Sequence, residues 1–420
     1  MMSKLAIDGG TPVRTKPFPG CCDAAGRLYG REELAALKEV VETGHTGKWQ
    51  GHFVKDFETE SAAAFGVKHC VTATSGTTAI HTALGALNLE PGDEIITSPI
   101  TDLGTIFPIL FQLVIPVFAD VDPATGNITA AEIEKQLSPK TKAIMPVHLS
   151  GQPCDMDPIM ALARQHGLLV MEDCSQAHYS EYKGRLSGTL GDIGAFSMQA
   201  SKQINAGEGG FLITNDDALG RRARLFADKG WPRDGAAAER DHLFLGPNYR
   251  MNEVTGALAL CQLRKVSQNV AQRRRSAERL CELLAGIEGV IPPKVIEGAN
   301  PAWWRFTFGI DHGIIQASQA EFAKALRAEG VSFGLGYLPH GVFEYRAIRD
   351  RITFGTSGYP WTLPEARKDI VYRREDYPNT TRYLSNHFGM SWCEGLTPED
   401  AEDIARAIEK VADAYRTGSS

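Results

Sequence analysis

Three short stretches of the sequence combine residue types that could do chemistry. In the first, TATSGTTAIHTALGAL, an apolar run ends at Ser75, Gly76 and Thr77, and a helical pattern follows. Free backbone N–H groups at a helix start, together with nearby hydroxyls, can bind a phosphate. The same residues could serve only as the N-terminal cap of that helix. No lysine follows at the spacing of a Walker motif.

The second stretch, HGLLVMEDCSQAH, places two acids after an apolar run. Residues 168–171 predict a buried parallel strand, which would put Glu172 and Asp173 at the carboxyl end of the sheet, where ligands of open α/β sheets bind. A carboxylate there could bond to a protonated ring nitrogen and strengthen a heterocyclic cofactor as an electron sink. Two alternatives stay open: a cap for the next helix, and a ribose ligand. No G-x-G-x-x-G upstream supports the ribose ligand.

The third stretch, FSMQASKQINAGEGGFLIT, holds Lys202 in a turn between two predicted strands. An isolated lysine is most often a surface charge. Here three glycines follow, which permit close backbone approach to a ligand, and a lysine amine can form a Schiff base with an aldehyde. A phosphate cradle, a strand-end acid and this amine together meet the needs of pyridoxal 5'-phosphate.

These residues require a scaffold that brings strand ends together. Between residues 31 and 230, short apolar runs alternate with helical patterns, which predicts a doubly wound, mainly parallel α/β sheet. Beyond it we expect a smaller α/β domain, with residues 339–383 as a possible substrate-facing loop. The predicted division is an N-terminal arm over 1–30, a large cofactor-binding domain over 31–255, a connecting helix over 256–287 and a small domain over 288–420.

Composition excludes several classes of protein. The 420 residues carry a net charge of −7 without a basic stripe, so nucleic acid is not an expected partner, and Arg273, Arg274 and Arg275 are interpreted as a solvated helix face. Eight cysteines without a C-x-x-C pair predict reduced thiols and no metal site. Neither a signal peptide nor an apolar run of about 20 residues is found, which predicts a cytoplasmic protein without a membrane partner.

In order and spacing, several blocks of the chain resemble the DegT/DnrJ/EryC1/StrS family of sugar and cyclitol aminotransferases, a branch of the fold-type I pyridoxal-phosphate enzymes. The blocks are SGTTAIHTAL, PGDEIITSPIT, PVFADVDP, KAIMPVHLSG, EDCSQAH, GDIGAFSMQASKQINAGEGG, DKGW and NYRMNEVTGALALCQL. The resemblance implies that Lys202 forms the internal aldimine and moves the proton, and that Asp173 keeps the pyridine nitrogen protonated. Related dehydratases carry His in place of this lysine, so Lys202 favours transamination.

The resemblance also assigns further cofactor ligands. Gln176 would bond to the phenolic oxygen, and Asn248 would reach the phosphate from the neighbouring subunit, which implies a homodimer. The residues expected around the phosphate on the same chain are Ser75, Gly76, Thr77 and Ser197.

Two positions leave alternatives open. Most relatives place an aromatic residue on the pyridine ring where this chain has Asp102. This acid could recognise a substrate hydroxyl or amine, or point away and cap the following helix. His178 lies within expected reach of the cofactor, and a structural role for it is equally compatible with the sequence.

The function that the resemblance implies is transfer of an amino group from L-glutamate or L-glutamine, by way of pyridoxamine phosphate, to a keto-sugar or keto-cyclitol. The N-terminal LAIDGGTPVRTKPFP and the later GYPWTLPEAR resemble the cyclitol and aminosugar-antibiotic branch. The alternatives are a pyridoxal-phosphate sugar dehydratase or other lyase, and a non-catalytic cofactor-binding regulator.

Overall fold

The computed structural model describes residues 4–233 and 241–416. The α-helices in these ranges are α1 Arg31–Thr43, α2 Phe53–Phe65, α3 Gly76–Leu87, α4 Leu103–Phe111, α5 Ala130–Glu134, α6 Met156–His166, α7 Asp217–Phe226, α8 Glu253–Leu284, α9 Gln319–Ala328, α10 Arg346–Arg349, α11 Pro378–Asn386 and α12 Pro398–Tyr415. The strands are β1 His69–Ala73, β2 Glu94–Thr97, β3 Ile115–Phe118, β4 Thr141–Met145, β5 Leu169–Asp173, β6 Glu181–Tyr182, β7 Arg185–Leu186, β8 Ile193–Ser197, β9 Gly210–Thr214, β10 Val290–Ile291, β11 Ala299–Asn300, β12 Arg305–Ile310, β13 Gly334–Leu335 and β14 His387–Ser391.

A seven-stranded sheet forms the larger core, in the order β1-β9-β8-β5-β4-β2-β3. The pairs from β8 to β3 are parallel, whereas β9 runs antiparallel to both of its neighbours. Every residue of β2, β3, β8 and β9 is buried, as expected of strands that are covered on both faces. The mainly parallel α/β sheet predicted from the sequence is thus confirmed.

A second, antiparallel sheet has the order β10-β12-β14-β13. Its aromatic residues pack with α9 and α12 in a separate core that includes Phe306, Phe308 and Trp392. Helix α8 contributes Leu260 to a core beside the large sheet and Leu280 to this second core. One long helix therefore links the two sheets, close to the predicted span of 256–287.

The segment 339–383 is more buried than the sequence suggests. Val342, Phe343 and Trp361 lie in the same hydrophobic core as Phe118 at the end of β3. The interpretation of the whole segment as a substrate-facing loop is therefore wrong, because its aromatic side chains fill the space beside the large sheet.

The arginine cluster on α8 also differs from its interpretation. Arg273 is fully buried, and its guanidinium lies 2.8 Å from the carboxylate of Glu394. Arg274 is partly buried and donates to the carbonyl of Pro301 at 2.9 Å, while Arg275 is exposed. The interpretation of a solvated helix face is therefore wrong for Arg273 and Arg274, because residues distant in sequence supply hydrogen-bond acceptors to their guanidinium groups.

All eight cysteines are unpaired, in agreement with the prediction of reduced thiols. Among the helices that the structure describes, none combines the length and apolar character that crossing a bilayer requires.

Candidate active site

A cavity of about 480 Å³ opens at the ends of β1, β5 and β8. Eight of the ten predicted site residues line it, and they come from four separate parts of the large sheet. They are Ser75, Gly76, Thr77, Asp102, Asp173, Gln176, Ser197 and Lys202.

The start of α3 forms one end of the cavity. Ser75 caps this helix: its Oγ accepts from the amide of Thr78 at 3.1 Å, and its own amide donates to Thr78 Oγ1 at 2.8 Å. The amides of Gly76 and Thr77 belong to the first turn, where a helix has no internal acceptor to offer. A Cβ built on Gly76 would lie 2.5 Å from Ser197 Cβ, so glycine is needed for this close approach. The result is a narrow cradle of amides and hydroxyls that suits a phosphate.

Asp173 is held at the end of β5 with 3% of its surface exposed. Its Oδ2 accepts from Thr105 Oγ1 at 2.7 Å, and its Oδ1 accepts from the amide of Ser175 at 3.0 Å. Thr105 in turn lies 2.6 Å from Thr101, oxygen to oxygen. Donors to both oxygens fix the direction of the Asp173 side chain. Sequence reasoning missed both threonines, although their i, i+4 spacing at the start of α4 was available as a signal.

The neighbouring acid, Glu172, has a structural role. Its buried carboxylate accepts from His148 Nε2 at 2.9 Å and from the backbone amides of Gly188, Leu190 and Gly191. His148, Glu172 and Cys174 lie close enough together to be considered as metal ligands. The carboxylate is already saturated by these donors, so it anchors the loop before β8.

Lys202 lies in a turn after β8, with 8% of its surface exposed. Its amide donates to the carbonyl of Gln199 at 2.8 Å, and its Nζ lies 3.7 Å from the ring centroid of Trp304. Burial lowers the pKa of the Lys202 amine to about 8, against the opposing charges of Asp173 and Asp102. The amine therefore loses its proton, and becomes a nucleophile, closer to neutrality than an exposed lysine does.

Two aromatic residues beside the second sheet close the cavity. Trp304 precedes β12, Tyr337 follows β13, and their rings meet edge to face at 5.7 Å. Gln176 donates to the Tyr337 hydroxyl at 3.3 Å and accepts from the amide of Ser150 at 2.7 Å. Neither aromatic residue was predicted, since only the long-range fold brings them to the strand ends of the large sheet.

Asp102 combines two of its expected features. It caps α4, with its Oδ1 accepting from the amide of Gly104 at 2.7 Å, and it also lines the cavity. The interpretation that a capping Asp102 would point away is therefore wrong. The aromatic ring beside the lysine amine comes instead from Trp304.

The structure does not bring His178 or Asn248 to this cavity. His178 is fully buried beside Phe196, its Nδ1 lies 3.0 Å from Gln203 Oε1, and burial lowers its pKa to about 3. Its neutral ring thus packs in the core. Asn248 pairs with Asp228 in a β-bridge, and its role toward a neighbouring subunit stays a prediction.

Comparison with known proteins identifies first the class of enzyme whose fold the chain shares and then the family to which it belongs. The structure matches that of the aminotransferase from Psychrobacter cryohalolentis with a TM-score of 0.82 and 30% identity, covering 96% of this chain and 100% of the other. This is the fold of an aminotransferase, as predicted. The family follows: the model of the DegT/DnrJ/EryC1/StrS aminotransferase family matches residues 28–409, and the chain belongs to this family.

Two curated relatives are 38% identical to the chain. One is the L-glutamine:2-deoxy-scyllo-inosose aminotransferase of Streptoalloteichus tenebrarius, matched over 97% of both chains. The other is the GDP-perosamine synthase of Caulobacter vibrioides, matched over 75% of this chain and 83% of the relative. Because the chain is equally identical in sequence to both proteins, sequence identity alone does not distinguish between a cyclitol and a nucleotide-linked sugar substrate.

Proposed function

We propose that the protein is a pyridoxal 5'-phosphate-dependent aminotransferase that moves an amino group from L-glutamine or L-glutamate to a keto-sugar or keto-cyclitol. The observation that carries this proposal is a single cavity that unites the Lys202 amine, the Asp173 carboxylate and the open start of α3. These groups match the aldehyde, the ring nitrogen and the phosphate of the cofactor. The name of the S. tenebrarius relative supports glutamine as donor and a cyclitol as acceptor.

The residues that line the cavity suit the chemical groups of the cofactor. The amides of Gly76 and Thr77 and the hydroxyl of Ser197 would hold the phosphate, because a side chain on Gly76 would fill that cradle. Asp173 would pair with the ring nitrogen, and Lys202 would bind the aldehyde. When bound, the cofactor supplies an electron sink that weakens the Cα–H bond of the amino donor.

Each side chain has a defined task in that reaction. Asp173, directed by Thr105, would keep a proton on the ring nitrogen of the bound cofactor through a charge-assisted hydrogen bond. The Lys202 amine, whose pKa is lowered by burial, would take the proton from the Cα of the amino donor and would be placed to return it to the carbon that carried the aldehyde. The indole of Trp304 covers the amine and limits the access of water to it.

The remaining cavity surface favours a polyhydroxylated acceptor. Its polar residues include Thr101, Asp102, Gln199, Ser201 and Glu208, which offer carboxylates, hydroxyls and an amide to hydroxyl groups. We further propose a homodimer in which Asn248 completes the phosphate site of the partner subunit.

The test is to load the protein with pyridoxal 5'-phosphate and mix it with single amino acids. Bleaching of the visible absorbance band by glutamine or glutamate, with release of the 2-oxo acid in equal amount, supports the proposal. No bleaching by either donor contradicts it. Loss of a sugar hydroxyl without net amination would indicate the lyase alternative instead.

A further inference from the structure

A buried group of three charged side chains lies behind residues 200–202, which are called the lysine turn below. Arg27, Arg273 and Glu394 have no exposed side-chain surface. Nη1 of Arg27 lies 3.3 Å from Glu394 Oε1, and Nη2 of Arg273 lies 2.8 Å from Glu394 Oε2. Two cations therefore share one carboxylate, which leaves one positive charge without an ionic partner in the group.

Backbone carbonyls compensate that extra charge. The guanidinium of Arg27 donates to the carbonyls of Cys21 at 2.5 Å, of Lys202 at 2.8 Å and of Ala200. Arg273 donates to the carbonyls of two tryptophans, Trp392 at 2.5 Å and Trp303 at 3.3 Å. A buried guanidinium is costly unless its donors are satisfied, so these acceptors account for its presence in the interior.

The acceptors of Arg27 are informative because two of them belong to the lysine turn. The carbonyls of Ala200 and Lys202 belong to the peptide planes on the two sides of the Ser201–Lys202 pair. One rigid guanidinium fork therefore holds the backbone before Ser201 and directly after the Cα of Lys202. Arg27 itself comes from the segment before α1, outside the large sheet. Glu394 follows β14 of the second sheet and orients the fork.

We propose that Arg27, oriented by Glu394, is a positioning residue that sets the direction of the Lys202 side chain in the cavity. The inference rests on the proposed function, since it assumes that Lys202 is the reacting amine. Lysine at position 27 would keep the charge but could not bond both carbonyls and the carboxylate with one planar group.

The test compares Arg27→Gln and Arg27→Lys with a matched control, Glu329→Gln. Glu329 is a buried acid that also holds the N-terminal segment: it lies 2.8 Å from Lys410 and accepts from the amides of Ala6 and Val13. It has no contact with the lysine turn among its hydrogen bonds in the described structure. The melting temperature, the affinity for pyridoxal 5'-phosphate and the single-turnover rate with glutamine or glutamate are measured for each.

For Arg27→Gln we expect a rate about 100-fold lower, because a displacement near 1 Å of a reacting group has that effect. Its cofactor affinity at high pH should stay within about threefold, since the α3 cradle is untouched. We expect cofactor capture to need a higher pH than in the wild type, because a displaced amine is less desolvated. Arg27→Lys should lose about tenfold in rate, and Glu329→Gln should lose stability with an unchanged rate.

A rate for Arg27→Gln within about threefold of the wild type would overturn the inference. An equal loss of rate in Glu329→Gln would also overturn it, since destabilisation alone would then account for the effect. If Arg27→Gln does not fold, an unchanged rate in Arg27→Lys decides against the inference and a reduced one supports it. A wild-type protein that reacts with neither donor would instead show that the proposed function is wrong.

Discussion

The hydroxyl of Thr105 offers a direct perturbation of the acid that we assign to the ring nitrogen. Thr105→Val removes the donor at 2.7 Å from Asp173 Oδ2 while keeping the shape of the side chain. Both residues are buried, with exposures of 2% and 3%, so bulk water has little access to the place of the lost hydroxyl. Asp173 retains its second donor, the amide of Ser175 at 3.0 Å, and stays in the cavity.

The size of the effect follows from these contacts. A hydrogen bond to a charged group contributes about 1.5–3 kcal/mol, which corresponds to about 10- to 150-fold in rate if the bond supports the reacting state. Because the Ser175 amide remains, we expect the lower part of that range, about 10- to 30-fold, for Thr105→Val.

The assay is the single-turnover rate of bleaching with the preferred amino donor, measured beside Thr82→Val. Thr82 is also fully buried, but its hydroxyl donates to the carbonyl of Thr78 within its own helix at 2.7 Å. We expect this control to lose stability only. An unchanged rate in Thr105→Val, with the cofactor bound, would refute the view that α4 supports the catalytic acid.

Two further predictions concern the phosphate cradle and the lysine. In a binding titration, Gly76→Ala should weaken the affinity for the cofactor about 5- to 150-fold, because the added methyl group costs about 1–3 kcal/mol of overpacking against Ser197. The control is Gly286→Ala, whose added Cβ meets nothing closer than 3.7 Å, and its cofactor affinity should match that of the wild type. In the cofactor-free protein the pKa of Lys202 is about 8, below its ordinary 10.5, so the unfolded chain binds more protons between these values. The free energy of unfolding should therefore gain a contribution from Lys202 as pH rises from 8 to 10.5, and denaturant titrations should show no such contribution in Lys202→Met.

Local sequence signals were sufficient for the centre of the site. Asp173 follows an apolar strand, Lys202 lies between two strands, and the turn at 75–77 precedes a clear helical pattern, so each could be placed at a strand end from neighbours alone. Because the carboxyl ends of parallel strands meet at one edge of a sheet, the sequence predicts that these residues lie close together. In the structure they line the same cavity.

Residues that depend on long-range packing could not be found in this way. Arg273 was assigned to solvent because its partner, Glu394, lies on a different element of the fold. Trp304 and Tyr337 reach the cavity only because the second sheet packs beside the first. Helical or strand periodicity carries no information on such contacts, since it describes one element at a time.

The central claim is that Lys202 binds the cofactor, and borohydride reduction of the loaded protein tests it most directly. Reduction should fix the cofactor covalently, and mass analysis of the peptides should find it on Lys202, with no attachment and no visible band in Lys202→Ala. Attachment to another lysine, or a band retained in Lys202→Ala, would contradict the account.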